Sequence, residues 1–372
     1  MRDDKFLDYY IKMSEIFIPA ESTYIVFSDS SSLKYIKSNN INLIVLPANQ
    51  DTFNQVICAA GQSKAIVFHS FKEDLYPFVK MIPSFMKKIW VFWGFEGYGA
   101  IGKRKFIANK SNFARYESSA KGIARYIYHR YKDFFASQQN TLSIDIIKEM
   151  DFCATWVEAD HKLAKQINPG ISSLHFNYYV NELMGLDEVE VEPLNPKQLL
   201  LGNSGDPTNN HFEALEYLHS IQYGGIIICP VSYGGSPVYV NKLCHYGNKL
   251  FGSRFKPLKT FMPLNEYQTI VNNCGVMWMN HTRQQAAGNL LMSFISQKVV
   301  VTDERNPLNY TFENWGLSFF RPKALVHDLN EFGELLEKNR KIVLKKLEIS
   351  ENAEYFATLS SFLTNDFVVG TR

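Results

Sequence analysis

Leu199-Leu-Leu-Gly-Asn-Ser-Gly-Asp-Pro-Thr-Asn-Asn-His-Phe-Glu213 runs from an apolar stretch, through small and polar residues, into an amphipathic one. A short, continuous apolar run bounded by glycine is the pattern of a strand buried on both faces of a parallel sheet. In the loop Gly202, Asn203, Ser204, Gly205 and Asp206, two glycines let backbone approach a ligand closely. Asn209 and Asn210 are natural N-caps for the helix predicted to follow, with His211 at its start. The first-turn N–H groups of such a helix have no intrahelical partner and suit an anion, so a nucleotide diphosphate fits here. A capped strand-to-helix turn without a ligand explains the same residues.

The same rhythm extends in both directions. Upstream, Thr23–Asp29, Ile41–Pro47, Lys64–Ser70 and Lys88–Gly94 read as strands, with helices over Ser32–Ser38, Asp51–Ala60 and Lys72–Met86. Phe152–Val157 and Ser172–Tyr178 complete a first domain of residues 1–180. The acidic, proline-containing stretch Asn181–Lys197 then intervenes. Beyond it Gln198–Gly202, Gly225–Val231, Leu258–Pro263, Gly275–Asn280 and Lys298–Thr302 read as strands. Asn210–Ile221, Pro237–Leu250, Asn265–Asn273, Ala286–Ser296 and Ala324–Leu347 read as helices. This second domain spans 181–350, and residues 351–372 form a last helix that can cross back to the first. Strands alternating with helices predict right-handed βαβ units, hence an α/β chain of two Rossmann-like, doubly wound domains facing a cleft.

Composition excludes several classes. The 372 residues are 46 % hydrophobic and 20 % charged, with Lys plus Arg at 39 against 37 acids, a net charge of +2. That balance argues against a dedicated nucleic-acid binder. Five cysteines, each alone on an apolar stretch, read as reduced thiols rather than a metal or disulfide framework. No apolar run approaches the ~18 residues of a membrane span, and MRDDKFLDYY does not read as a signal peptide. Charge is uneven, however: Lys72–Lys132 carries thirteen Lys/Arg against four acids, interleaved with aromatics. Such a face suits anionic lipid; a solvated helical face or a nucleic-acid surface are the rival readings.

Asn280-His-Thr-Arg-Gln-Gln-Ala-Ala-Gly-Asn289 follows another second-domain strand. Arg283 can grip a phosphate with two prongs. Gln284, Gln285 and Asn289 offer donors and acceptors to a sugar or base, and Gly288 allows close approach. Glu266 can accept from hydroxyls, or simply sit in a helix's first turn, and Tyr233 joins the donor-side candidates. In Trp90-Val-Phe-Trp-Gly-Phe-Glu-Gly-Tyr98, Glu96 lies among aromatic rings, where desolvation raises a carboxyl pKa and suits proton abstraction. Asp29 is a second candidate base and His69 a weaker one. Gly97-Tyr-Gly-Ala-Ile-Gly102 matches G-x-G-x-x-G, but Lys103-Arg-Lys-Phe follows instead of an apolar helix, so dinucleotide binding is not expected.

Taken together, the string Gly202–His211, the segment Trp90-x-x-Trp-Gly-x-Glu96-x-Tyr98, and Arg283-Gln-Gln285 with Gly288 followed by Asp303-Glu-Arg-Asn-Pro307 resemble the TDP-N-acetylfucosamine:lipid II N-acetylfucosaminyltransferases, glycosyltransferase family 56. Glu96 stands where that family has aspartate. The resemblance implies a GT-B fold and a hexosyltransferase needing no metal or other cofactor. Its donor would be a dTDP-linked deoxy-amino sugar, such as a 4-acetamido-4,6-dideoxyhexose. Its acceptor would be an undecaprenyl-diphosphate-linked saccharide of bacterial surface-polysaccharide assembly, such as enterobacterial common antigen or O-antigen. The enzyme would be cytoplasmic, peripheral at the inner face of the cytoplasmic membrane, with Lys87, Lys88, Trp93, Tyr98, Lys103, Arg104 and Lys105 as the membrane and acceptor face. A non-catalytic two-domain binding protein for a nucleotide or other small anion is the alternative.

Overall fold

The computed structural model describes residues 1–372 except 5, 31, 39–41, 62, 136–138, 196, 325–331 and 365–372. The chain divides into two compact units. Unit 1 comprises Met1–Ile101, Gln139–Gly185 and Leu347–Arg372; unit 2 comprises Gly102–Gln138 and Leu186–Lys346.

In unit 1, β1 (Tyr24–Phe27) pairs in parallel with β2 (Leu43–Leu46). β3 (Ala65–His69), β4 (Lys87–Val91), β5 (Phe152–Ala154) and β6 (Ser172–Leu174) form a parallel sheet in that order. One core joins the two: Tyr24 and Val26 pack with Ile89, Val91, Ala154 and Phe176. The C-terminal helix Ala353–Thr364 lies against the helix Leu7–Phe17, with Phe356 stacked on Phe17 at 4.9 Å. Ser32–Ser38 is not helical. The Asp3 carboxylate instead takes the N–H groups of Lys34, Tyr35 and Ile36, and Asp8 those of Lys37 and Ser38. The helix expected over Lys72–Met86 is a 3₁₀ turn, Glu73–Leu75, and a short helix, Tyr76–Met81. It stops because Pro83 forces Ile82 out of the helical region, to ψ 124°.

In unit 2, β7 (Gln198–Leu201), β8 (Ile226–Pro230), β9 (Phe255–Leu258), β10 (Val276–Met279) and β11 (Val299–Thr302) form a parallel sheet ordered β11-β10-β7-β8-β9. The β9 strand lies earlier than the expected Leu258–Pro263. Lys256 and Pro257 break the apolar run that would have marked it, and an edge strand tolerates that proline. The helix expected from Ala324 is described over Gly333–Lys346; its first turns lie outside the described residues.

The boundary near residue 180 also moves. Asn181 donates its N–H to the Leu347 carbonyl within unit 1, so unit 2 resumes at Leu186. Gly102–Gln138, expected in the first domain, packs with unit 2 for specific reasons. The Ala108 N–H donates to Asn210 Oδ1 at 2.8 Å, Glu213 accepts from the N–H groups of Lys110 and Ser111, and Ala114 enters the unit 2 core. The basic stretch from Lys72 to Lys132 is therefore divided between the two units.

Candidate functional site

In unit 2 the chain steps from β7 to β8 and β9 on one side, then crosses to β10 and β11 on the other. The strand order reverses between β7 and β10, and ligands of open α/β sheets bind beyond the carboxyl ends at such a point. The loops leaving those two ends are Gly202–Asp206 and Asn280–Ala286, the two segments that carried the sequence expectations.

A dense polar network joins them. Asn209 Oδ1 accepts from the Asn203 N–H at 3.0 Å and from His281 Nε2 at 2.8 Å. Asn210 Nδ2 donates to the Asn280 carbonyl, and Asn280 Nδ2 donates to that of Asn210. The Thr208 hydroxyl is 2.6 Å from Gln285 Oε1 and 2.8 Å from Asp206 Oδ1. Gln285 Nε2 donates to Asn203 Oδ1 at 3.0 Å, and Arg283 Nη2 reaches the Thr208 hydroxyl at 3.4 Å. Arg283 is thus held beside the β7 loop, half-buried and charged, where an anion can meet it.

Electrostatics follow from burial. Desolvation pushes His211 and His281 down to about 3, so both are neutral. Because His281 Nε2 donates to an amide oxygen, its Nδ1 is a bare acceptor; that atom and His211 Nε2 are buried without a hydrogen-bond partner. Burial raises the Asp206 pKa, but Lys103 at 2.6 Å and the Thr208 hydrogen bonds outweigh it and hold the carboxylate below its usual range.

Several expected roles change. Asn210 sits at the helix N-cap position in a left-handed conformation, φ 51°, and its side chain caps nothing; it binds Ala108, Phe106 and Asn280 instead. Gly202 is required by φ +71° and by Asn209, whose Oδ1 would lie 2.6 Å from an added Cβ, rather than by an approaching ligand. Gly205 faces Gly235 of the β8 loop, and its N–H donates to the Tyr233 carbonyl at 2.7 Å. Ser204 Oγ accepts from the Asp206 N–H within the loop. Tyr233 is exposed beside these loops; Glu266 is exposed in the first turn of Leu264–Asn272, with no hydrogen bond to the network. Gly288 and Asn289 open the helix Ala287–Ile295, and Gln284 contributes its carbonyl to Arg283. Thr208, which bridges three of the named residues, was missed, although its spacing two residues after Asp206 is a turn signal.

In unit 1, Glu96 lies in the first turn of the short helix Phe95–Ala100, beyond β4, and is 5 % exposed. Desolvation lifts its carboxyl to about 8. The N–H groups of Glu96, Phe71 and Trp93 and the Ser70 hydroxyl are near enough to pull it part-way back, yet none completes a hydrogen bond to either oxygen. His69, ending β3, is buried and neutral, its Nδ1 2.6 Å from the Tyr178 hydroxyl, which also takes Trp93 Nε1 at 3.0 Å. Tyr98 is buried and donates to Asp160 Oδ1 at 2.9 Å. Asp29 is exposed after β1.

Of the residues expected to form the membrane and acceptor face, Lys87, Lys88, Trp93 and Tyr98 lie in unit 1. Lys87 and Lys88 begin β4, pairing with Asp151 and Glu149, whereas Trp93 and Tyr98 lie past its opposite end. Lys103, Arg104 and Lys105 belong to unit 2. Among the described residues, no helix is long and apolar enough to cross a membrane, and no group of three or more His, Cys, Asp or Glu is arranged to hold a metal.

Residues 156–334 match the family model described as 4-alpha-L-fucosyltransferase, glycosyl transferase group 56. Among solved structures, HepE from Anabaena in complex with UDP is similar at a TM-score of 0.63, 11 % identity and 97 % coverage of each chain. A glycosyltransferase from Rickettsia africae gives 0.61 at 11 % identity, covering 95 % of this chain and 94 % of that one. The alpha,alpha-trehalose 6-phosphate synthase of Burkholderia multivorans gives 0.53 at 10 % identity, covering 86 % and 75 %. The chain has the GT-B fold, and from Trp156 to Glu334 it matches the group 56 glycosyltransferases whose motifs its sequence resembles.

Proposed function

We propose that this glycosyltransferase moves a deoxy-amino sugar, a 4-acetamido-4,6-dideoxyhexose or a close relative, from a dTDP-sugar to a polyprenyl-diphosphate-linked saccharide at the cytoplasmic membrane. The observation that carries the reading is Arg283 fixed to Thr208 at the strand-order reversal of unit 2, with Gln285 and Asn203 closing the network. That arrangement supports a guanidinium and polar loop groups around a nucleotide-sugar diphosphate. HepE, which holds UDP and in another crystal UDP-glucose, lends support to a nucleotide-sugar donor.

The acceptor hydroxyl oxygen attacks the anomeric carbon while the bond from that carbon to the phosphate oxygen breaks. The leaving nucleoside diphosphate keeps the bonding electron pair, and its charge is met by Arg283 and the loop dipoles. Glu96 takes the hydroxyl proton; its raised pKa makes it a stronger base than an exposed carboxylate once ionised. Thermal shift with TDP, UDP and GDP, followed by incubation with TDP-sugar, tests the donor. A TDP-selective rise with slow donor hydrolysis supports the reading. A rise with UDP alone redirects the nucleotide, and binding without any turnover, even with lipid acceptor, favours a binding protein.

A further inference from the structure

Lys103, which the sequence placed on a membrane and acceptor face, leans on the loop after β7. Its Nζ donates to Asp206 Oδ2 at 2.6 Å; the lysine side chain is 53 % exposed and that of Asp206 15 %. Asp206 Oδ1 turns the other way, accepting from the Thr208 N–H at 3.0 Å and lying 2.8 Å from the Thr208 hydroxyl. That hydroxyl is the atom Arg283 Nη2 reaches at 3.4 Å. Lys103 and Arg283 therefore flank one turn, Asp206 to Thr208, from two different segments of unit 2.

The placement of Lys103 is built in. It begins the 3₁₀ turn Lys103–Phe106, and at the end of that turn the Phe106 carbonyl accepts from Asn210 Nδ2 at 3.3 Å and from the Thr282 hydroxyl at 3.1 Å. One carbonyl thus ties the turn to Asn210, beyond β7, and to the loop after β10. The Ala108 N–H adds a bond to Asn210 Oδ1 at 2.8 Å. The turn that carries Lys103 is fastened across the same reversal of strand order that positions Arg283.

Charge gives this placement a use. A diphosphate carries more than one negative charge, and a single guanidinium leaves part of it unmet. The Asp206 carboxylate, held ionised, would repel such an anion if nothing neutralised it. Asp206 takes one of the three ammonium hydrogens of Lys103, and the half-exposed head can offer another to a phosphate oxygen. An ion pair this exposed contributes about 0–1 kcal/mol, so it is weak enough to rearrange around a ligand.

We infer that Lys103 is a second cationic contact for the diphosphate of the nucleotide-sugar donor, steered by Asp206 and acting beside Arg283. The inference rests on the proposed donor site and adds to it a residue of the Gly102–Gln138 segment.

The test is calorimetric titration of the full chain with TDP, UDP and GDP, in the wild type, Lys103→Met, Asp206→Asn, the double variant and Arg283→Ala. Lys103→Met keeps the apolar stem and removes the charge; it should weaken the preferred nucleoside diphosphate by about tenfold and reduce the salt dependence of binding. Asp206→Asn retains an oxygen for Thr208 and releases Lys103, so it should bind as tightly as the wild type or more tightly. The double variant separates contact from neutralisation. If Lys103 touches the diphosphate, the double variant stays about tenfold weak. If Lys103 only neutralises Asp206, removing both charges restores wild-type affinity and the inference is overturned. Unchanged affinity in Lys103→Met overturns it too, and a loss confined to Arg283→Ala would leave the donor reading standing without it. Failure of all three nucleotides to bind the wild type would remove the donor reading itself, and Lys103 with it. Lys103 is exposed, so an unchanged melting temperature reports an intact fold.

Discussion

Asn210 and Asn280 each donate a side-chain amide hydrogen to the other's backbone carbonyl, at 3.2 and 3.1 Å. This reciprocal pair locks the loop after β7 to the loop after β10 at the reversal of strand order. Asn210 adopts φ 51°, a conformation asparagine tolerates better than most residues, and it is 1 % exposed. Asn210→Asp would remove both donated hydrogen bonds and set a buried carboxylate against the carbonyls of Phe106 and Asn280. The expected loss is about 3 kcal/mol or more, whereas Asn210→Gly, which keeps the backbone conformation, should lose about 1–2 kcal/mol. Urea unfolding of both variants checks the order; equal losses would mean that the buried carboxylate costs nothing beyond the lost side-chain bonds.

Arg283 is aligned by its bonds to Thr208 and the Gln284 carbonyl. If its guanidinium meets the donor diphosphate, Arg283→Ala loses a charge-assisted contact of about 1.5–3 kcal/mol, a ten- to hundredfold fall in kcat/KM for the nucleotide sugar. Arg283→Lys keeps the charge but not the planar fork and should recover only part. Steady-state kinetics with varied donor read this out, and unchanged constants in the alanine variant would take Arg283 out of the site.

How much of this is legible in the sequence depends on the range of the interactions. The parallel strands are legible because burial on both faces writes a continuous apolar run, as in Leu199–Leu201 and Val299–Thr302. The two loops are legible because their carboxyl-end position follows from the strand–helix alternation. Ser32–Ser38 is not, because its N–H groups are satisfied by Asp3 and Asp8, about thirty residues away on another segment. The allegiance of Gly102–Gln138 is hidden for the same reason: it is decided by Asn210 and Glu213, about a hundred residues downstream. Lys87 and Lys88 looked like part of a surface patch with Trp93 only because sequence proximity does not say which end of β4 a residue occupies.

Gly235 tests the stacking of the β7 and β8 loops. A Cβ there would press on the Gly205 carbonyl, and a backbone atom cannot swing aside as a side chain would. Gly235→Ala should destabilise the chain by about 1–3 kcal/mol through this overpacking and lower nucleotide affinity as the Gly202–Asp206 loop is displaced. Gly99→Ala, where an added Cβ meets nothing within 4 Å, is the control expected to leave both unchanged. Calorimetric melting and nucleotide titration of the pair separate a local clash from a general effect of substituting glycine.

Glu96 predicts a pH dependence whose sign can be worked out for both stability and rate. Its pKa rises from 4.5 to about 8 in the folded chain, chiefly through desolvation. Between those values the native state keeps a proton that the unfolded chain has lost, so protons bound by the unfolded minus the native state is negative. Its contribution is therefore fully present below pH 4.5 and falls as pH rises, at up to about 1.4 kcal/mol per pH unit, until it levels off near pH 8. Glu96→Gln cannot lose a proton and should lack this segment of the stability profile. Catalysis runs the other way, because only the carboxylate accepts a proton: the transfer rate should climb toward pH 8 and then flatten. In the glutamine variant kcat should drop by about 10²–10⁴ while nucleotide binding persists. Denaturant midpoints and transfer rates measured on both proteins from pH 5 to 9 decide the matter. A flat wild-type rate profile, or an active glutamine variant, would pass the role of base to another group, with His69 and Asp29 next in line.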